Sequence, residues 1–231
     1  ERNADDAVLS LAVPLQGLDP LVQLPIIGKK HQFHFLWDRA PGLCLAAAGQ
    51  SQRLDLSGPR RFELAQRFAD VTFARLIDIS PAAPAQARPR ILIACSFFEQ
   101  NSERHSSLEV PPAVQAVLPR WQLTRQGHFC WLRLNGVATQ QAEARELAEE
   151  LWLMREDLNS QLWRNNLTWQ KSVVGIADPQ QWQHCYKSAL SRGIELVNRG
   201  VLDKLVLAVQ QSIRLEDSLD PLPLLASLRK Q

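Results

Sequence analysis

Along this chain, stretches where apolar and polar residues alternate give way to stretches where apolar residues return every three or four positions. Residues 32–37 alternate in size and polarity and predict a strand; the apolar run 43–48, after Pro41-Gly42 and ending at Gly49, predicts its hairpin partner. Residues 60–77 put Phe62, Ala65, Phe68 and Ala69 on one side of a predicted helix. Residues 91–98 are apolar throughout and predict another strand. Segments 114–125 and 128–134 alternate on either side of Gln126-Gly127 and predict an antiparallel hairpin. The longest helical pattern covers about 139–164, with Leu147, Leu151, Met154 and Leu158 in one stripe. Asp178 and Pro179 open a further helix, as a cap and a first-turn proline do, and Gly200 falls just past its end. Residues 202–209 then read as a short, almost wholly apolar strand that 210–215 continue. The proline- and alanine-rich stretch 79–89, with Pro81, Pro84 and Pro89, predicts a connecting loop.

Antiparallel hairpins followed by long helices predict a layered α/β (α+β) fold, strand-rich over 1–135 and helix-rich over 136–231. The 231 residues suffice for one domain or two small ones. The net charge of +2, spread along the chain, leaves no basic stripe for nucleic acid, so no nucleic-acid partner is expected. No apolar run has the length of a membrane span and no signal peptide opens the chain, so a cytoplasmic setting without membrane attachment is expected. Cys44, Cys95, Cys130 and Cys185 are scattered and are expected as free, buried thiols. The chain opens at Glu1 without a methionine and stops at Gln231 inside a predicted helix begun near Pro221 and Pro223. A piece of a longer protein is therefore expected.

Lys204 is the residue with the clearest chemical interest. At the start of the 202–209 strand, alternation sets it on the face of Val206 and Ala208. An amine held there away from water has its charged form disfavoured, which suits a general base. The competing reading is a strand-end lysine whose stem lies on apolar surface while its head reaches solvent.

The segment Gly200-Val201-Leu202-Asp203-Lys204-Leu205-Val206-Leu207-Ala208 resembles the G-x-L-D-K-V-V-L-[AS]-R signature of isochorismate synthases, in the chorismate-using superfamily. Weaker likenesses follow in the right order: Ala12-Val13-Pro14-Leu15, Phe33 to Trp37, the Gly49 segment, Arg61-Phe62, Ser96-Phe97-Phe98, Leu118 to Trp121 and the stretch from Asp220 to Arg229. The resemblance implies the layered chorismate-binding-enzyme fold, of which residues 1–231 would be the N-terminal half, with a mostly antiparallel sheet and packed helices. It implies Lys204 as the base that activates water for attack at C2 of chorismate with loss of the C4 hydroxyl; the ammonia-using relatives carry glutamine there. It also implies a Mg²⁺ cofactor, chorismate as the small-molecule partner and a monomer at full length. The general acid, the metal-binding glutamates and the groups that grip the substrate would follow the signature, beyond Gln231, so the chain alone is expected to be inactive. A salicylate synthase shares the lysine, and a non-catalytic fragment or interaction module is the alternative of another class. Val209 departs from the signature, which has arginine there.

Other candidates carry less. His31 and His34 at HxxH spacing on a strand would point to opposite faces, so metal binding is not expected there. His184 and Cys185, adjacent on a helix, diverge by about 100° and make a poor nucleophile pair. Glu99 and Glu103 read as a solvated loop, and the seven tryptophans as core or interface residues rather than a base-stacking platform. No phosphate-cradling glycine motif is present.

Overall fold

The computed structural model describes residues 7–38, 42–80, 82–99, 112–160, 173–176, 179–207, 213–215 and 221–229. The chain divides into two compact units, Glu1–Asn165 and Asn166–Gln231.

In the first unit the elements run β1 (Val8–Gln16), α1 (Pro20–Gly28), β2 (His34–Asp38), β3 (Leu43–Leu56), α2 (Arg61–Arg75), β4 (Leu76–Asp78), a 3₁₀ turn (Ala85–Ala87), β5 (Leu92–Cys95), β6 (Val114–Gln126), β7 (Phe129–Val137) and α3 (Gln141–Ser160). They build a seven-stranded sheet in the order β2-β3-β6-β7-β1-β4, with β5 beside the first half of β6. All neighbours are antiparallel except β1 and β4. The β2–β3 and β6–β7 hairpins stand where the alternation predicts them; Gly127, at φ +58°, takes the left-handed turn conformation that a side chain disfavours. β3 runs past Gly49 to Leu56 because a bulge between Gln50 and Gln52 lets it stay paired with β6.

One face of the sheet is apolar. Cross-strand rows Ala46–Leu123–Leu132–Val13 and Ala48–Trp121–Leu134–Leu11 lie across it. Small residues on β3 let α1 approach, and its Leu21, Leu24 and Ile27 are buried. On α3, Leu147, Leu151 and Leu158 are buried while Met154 is half-buried. The N-terminus of α3 is capped by Glu143, whose Oε2 accepts from the Thr139 N–H at 2.6 Å and the Gln140 N–H at 3.2 Å; these bonds hold its carboxyl below the usual carboxylate range.

The other face is polar and still buried. Gln122, Arg133 and Asn135 sit in register with their neighbours there, and residues 87–90 are laced onto Gln122 and Arg133. Arg133 Nε donates to the Ala87 carbonyl at 2.7 Å, and Nη1 to Ser10 Oγ at 2.6 Å and to Asp78 Oδ1 at 3.0 Å. Gln122 Nε2 donates to the Arg88 carbonyl at 2.9 Å while its Oε1 accepts from the Arg90 N–H at 3.2 Å. Ser10 Oγ donates to Asn135 Oδ1 at 2.6 Å, and Asn135 Nδ2 to the Pro119 carbonyl at 2.8 Å. Polar groups at such depth are tolerated because they are hydrogen-bonded.

Several expectations need correction in this unit. α2 buries Arg61, Ala65 and Thr72, while Phe62 faces outward beside the Arg61 guanidinium, 4.3 Å above its ring. The helix stops at Arg75, because Leu76 to Asp78 leave it to pair with β1. The strand predicted over 91–98 shrinks to an edge, Leu92–Cys95, that leaves Cys95 exposed; Cys44 and Cys130 are buried as expected, and burial pushes the Cys130 thiol up to about 11. Cys185 has no described side chain.

In the second unit, β8 (Val173–Ile176) and β9 (Ile213–Leu215) pair antiparallel, and α4 (Pro179–Asn198) and α5 (Pro221–Leu228) are its helices. Residues 202–207, read from the sequence as the start of a strand, are not one; they pair with no strand and most of them are exposed. An apolar run extends as a strand only where a neighbouring backbone offers a ladder, and among the described residues none does. Ala208 and Val209 lie outside the described residues, as do Asp178 and Glu103.

Candidate active site

The site around Lys204 is built by the end of α4. Tyr186, Leu190, Gly193, Ile194 and Val197 recur at helical spacing and share one side of that helix. Gly200 follows at φ +70°, the left-handed conformation that ends many helices. Its N–H donates to the Val197 carbonyl at 3.0 Å, and the Val201 N–H to the Leu196 carbonyl at 3.0 Å, so these two carbonyls of the last turn are satisfied as the chain reverses. The segment after the turn comes back along the helix. Together they enclose an open cavity of about 340 Å³ lined by Tyr186, Leu190, Ile194, Val197, Lys204 and Leu205, with Gly193, Asn198 and Leu207 completing the wall.

Lys204 is thus exposed at the mouth of an apolar cavity, rather than held on a buried strand. Its amine can reach solvent and a molecule in the cavity alike. Chemically, the arrangement offers a proton acceptor or a cation beside an apolar wall, with the Tyr186 hydroxyl and the Asn198 amide as neutral hydrogen-bonding groups. Tyr186 and Asn198 carry no sequence signal of their own; the helical spacing back from Gly200 is what could have found them.

The remaining sequence candidates are not drawn together. His184 is exposed on α4. His34 lies on β2 with Nε2 3.0 Å from the Gly28 carbonyl, whereas His31 precedes the strand and lines a cavity of about 750 Å³ between α1 and α3 with Lys29, Glu146 and Glu150. Burial, and next the Arg120 guanidinium, hold the His31 imidazole below its usual value; Arg120 itself is paired with Glu150. Glu99 lies 3.5 Å from the Arg61 guanidinium. Trp121 is buried, Trp37 and Trp152 are exposed, and Trp163 and Trp169 lie outside the described residues. Among the described residues no three His, Cys, Asp or Glu side chains stand where they could hold a metal ion, so the described residues do not fit Mg²⁺. Among them also, no helix is long and apolar enough to cross a membrane.

Compared with known families, the chain matches the chorismate binding enzyme family over residues 1–231. It belongs to that family. No curated protein matches this chorismate-binding-family chain. Among solved structures it is similar to MenF, the menaquinone-specific isochorismate synthase from Escherichia coli, with a TM-score of 0.46 and 16% sequence identity. That match covers 82% of the present chain and 38% of the Escherichia coli enzyme, so the chain spans well under half the length of its solved relative.

Proposed function

We propose that this chain is the N-terminal part of an isochorismate synthase, with Lys204 as the general base that acts on water. The observation that supports it is Lys204 itself: in a chorismate-binding family member, the lysine of the signature-like segment stands at the mouth of the α4 cavity. As the free amine, Lys204 Nζ takes one proton from a water molecule as its oxygen bonds to C2 of chorismate. The ring double bonds shift, the C4–O bond breaks, and the hydroxyl leaves as water once a general acid supplies its proton. Nothing is oxidised or reduced, and the product is an isomer. By resemblance, that acid comes from elsewhere in the protein that carries this chain.

The test is turnover of chorismate, with Mg²⁺, by the protein that carries this chain, compared with Lys204→Ala and Lys204→Gln. Loss of a positioned base removes a factor of about 10²–10⁴ in rate. Isochorismate formed at an unchanged rate by Lys204→Ala would take the lysine out of the mechanism; release of pyruvate would move the reading to a salicylate synthase.

A further inference from the structure

Gly193 lies in the last third of α4, five residues before its end, where glycine is a poor helix former and nothing about the turn requires it. Its φ is an ordinary helical one, unlike that of Gly200. The surroundings supply the reason. A methyl group on Gly193 would overlap Leu205 Cδ2, with Leu205 Cγ at 3.6 Å. Gly193 is therefore a notch in the helix surface, and the Leu205 side chain fills it. Leu205 is the neighbour of Lys204, and both line the same cavity as Gly193.

The segment needs such an anchor. Residues 202–207 form no strand, and Val206 is 77% exposed, so among the described residues no ladder of backbone bonds fixes where Lys204 stands. The bonds after Gly200 hold Val201 and Leu202 to the helix end, and among the described residues they go no further along the segment. Three residues past Leu202, the Leu205 side chain against Gly193 is the next contact that ties the segment to α4.

We infer that Gly193 is a positioning residue: its missing side chain lets Leu205 seat against α4, and that contact sets where Lys204 stands at the cavity. This rests on Lys204 being the base, and it names the group that aims it. The contact is a size match, so it can be broken from either side and rebuilt. Gly193→Ala fills the notch and displaces Leu205. Leu205→Ala empties it. The double variant exchanges one for the other.

Two readouts on the protein that carries this chain decide the matter: kcat and KM for chorismate, and the rate at which acetic anhydride acylates Lys204, read by peptide mass spectrometry against the exposed Lys30 of the first unit. Gly193→Ala is expected to lower kcat about tenfold, leave KM within about threefold and change Lys204 acylation at least about threefold, with a melting temperature unchanged or raised because alanine is the better helix former. Leu205→Ala is expected to lower kcat as well, and so covers the case in which Gly193→Ala does not fold. The double variant is expected to return both readouts to within about threefold of the parent. Gly193→Ala with neither readout changed, or a double variant no better than its singles, overturns the positioning role. A Lys204→Ala protein that still turns over chorismate overturns the base instead, and the acylation rates then still decide the Gly193 contact.

Discussion

Replacing Arg133 with methionine is expected to destabilise the first unit by about 3 kcal/mol, close to what breaking a buried charged network costs at the low end. The guanidinium is 1% exposed and donates to Ala87, Ser10 and Asp78. Hydrogen bonds from a charged donor contribute about 1.5–3 kcal/mol each, which applies to the Ala87 carbonyl and the Ser10 hydroxyl. The Asp78 carboxylate is 31% exposed, so water screens that pair and it adds less than about 1 kcal/mol. Against these stands the desolvation of the cation, which methionine avoids, and Arg133 Nη2 is buried with no partner to offset its share. The balance stays unfavourable because methionine fills the space of the stem but leaves the Ala87 carbonyl without its donor. For a unit of this size, 3 kcal/mol lowers Tm by about 6–12 °C. Thermal melts followed by circular dichroism, with urea midpoints at constant m, measure it. A Tm within about 2 °C of the parent would show that the buried cation costs as much as its bonds return.

Other outcomes are equally direct. His31 is held below its usual value, so the unfolded chain binds its proton more readily than the folded one, and stability falls as pH drops through the region just below about 6.5. His31→Gln should flatten the urea midpoint between pH 5 and 7.5; an unchanged slope would refute the assignment. A thiol reagent should modify Cys95 well before Cys44 or Cys130, since Cys95 is exposed and burial holds the Cys130 thiol at about 11; equal rates by mass spectrometry would contradict the burial. Phe97 and Phe98, 93% and 70% exposed and stacked edge to face, predict self-association of the isolated chain, and their replacement with serine should reduce it in light scattering.

Where a single face or a single turn decides an element, its sequence was readable. The β6–β7 hairpin needed only alternation around Gln126-Gly127, and Gly200 marked the end of α4. α1 escaped because Pro25 sits inside it and its nine residues are almost all apolar, so no stripe stands out; packing on β3 stabilises it instead. β4 was hidden in the apparent continuation of α2, because its three residues become a strand only through their pairing with β1. Arg133 was invisible for the opposite reason. In Trp131-Leu132-Arg133-Leu134-Asn135 an arginine at every-second spacing reads as solvent-facing, and only the loop folded over that face buries it. At the candidate site, the signature-like segment pointed to Lys204, but its apolar run suggested a strand that residues 202–207 do not form. Whether a run pairs is settled by distant backbone, which local pattern does not encode.

The first strand has a consequence in time as well as in space. β1 is made first, yet its antiparallel partner is β7, and its Ser10 bonds to Asn135 across 125 residues of sequence. Its parallel partner β4, near Leu76, arrives sooner but covers only three of its residues. During synthesis Leu11 and Val13, beyond the reach of β4, must therefore wait, unpaired, until the β6–β7 hairpin emerges and closes the sheet. Such long-range closure makes folding slow and leaves a nascent edge open to other chains. A ribosome-bound chain that ends before β7 should accordingly be a better client for a chaperone than one that ends after it.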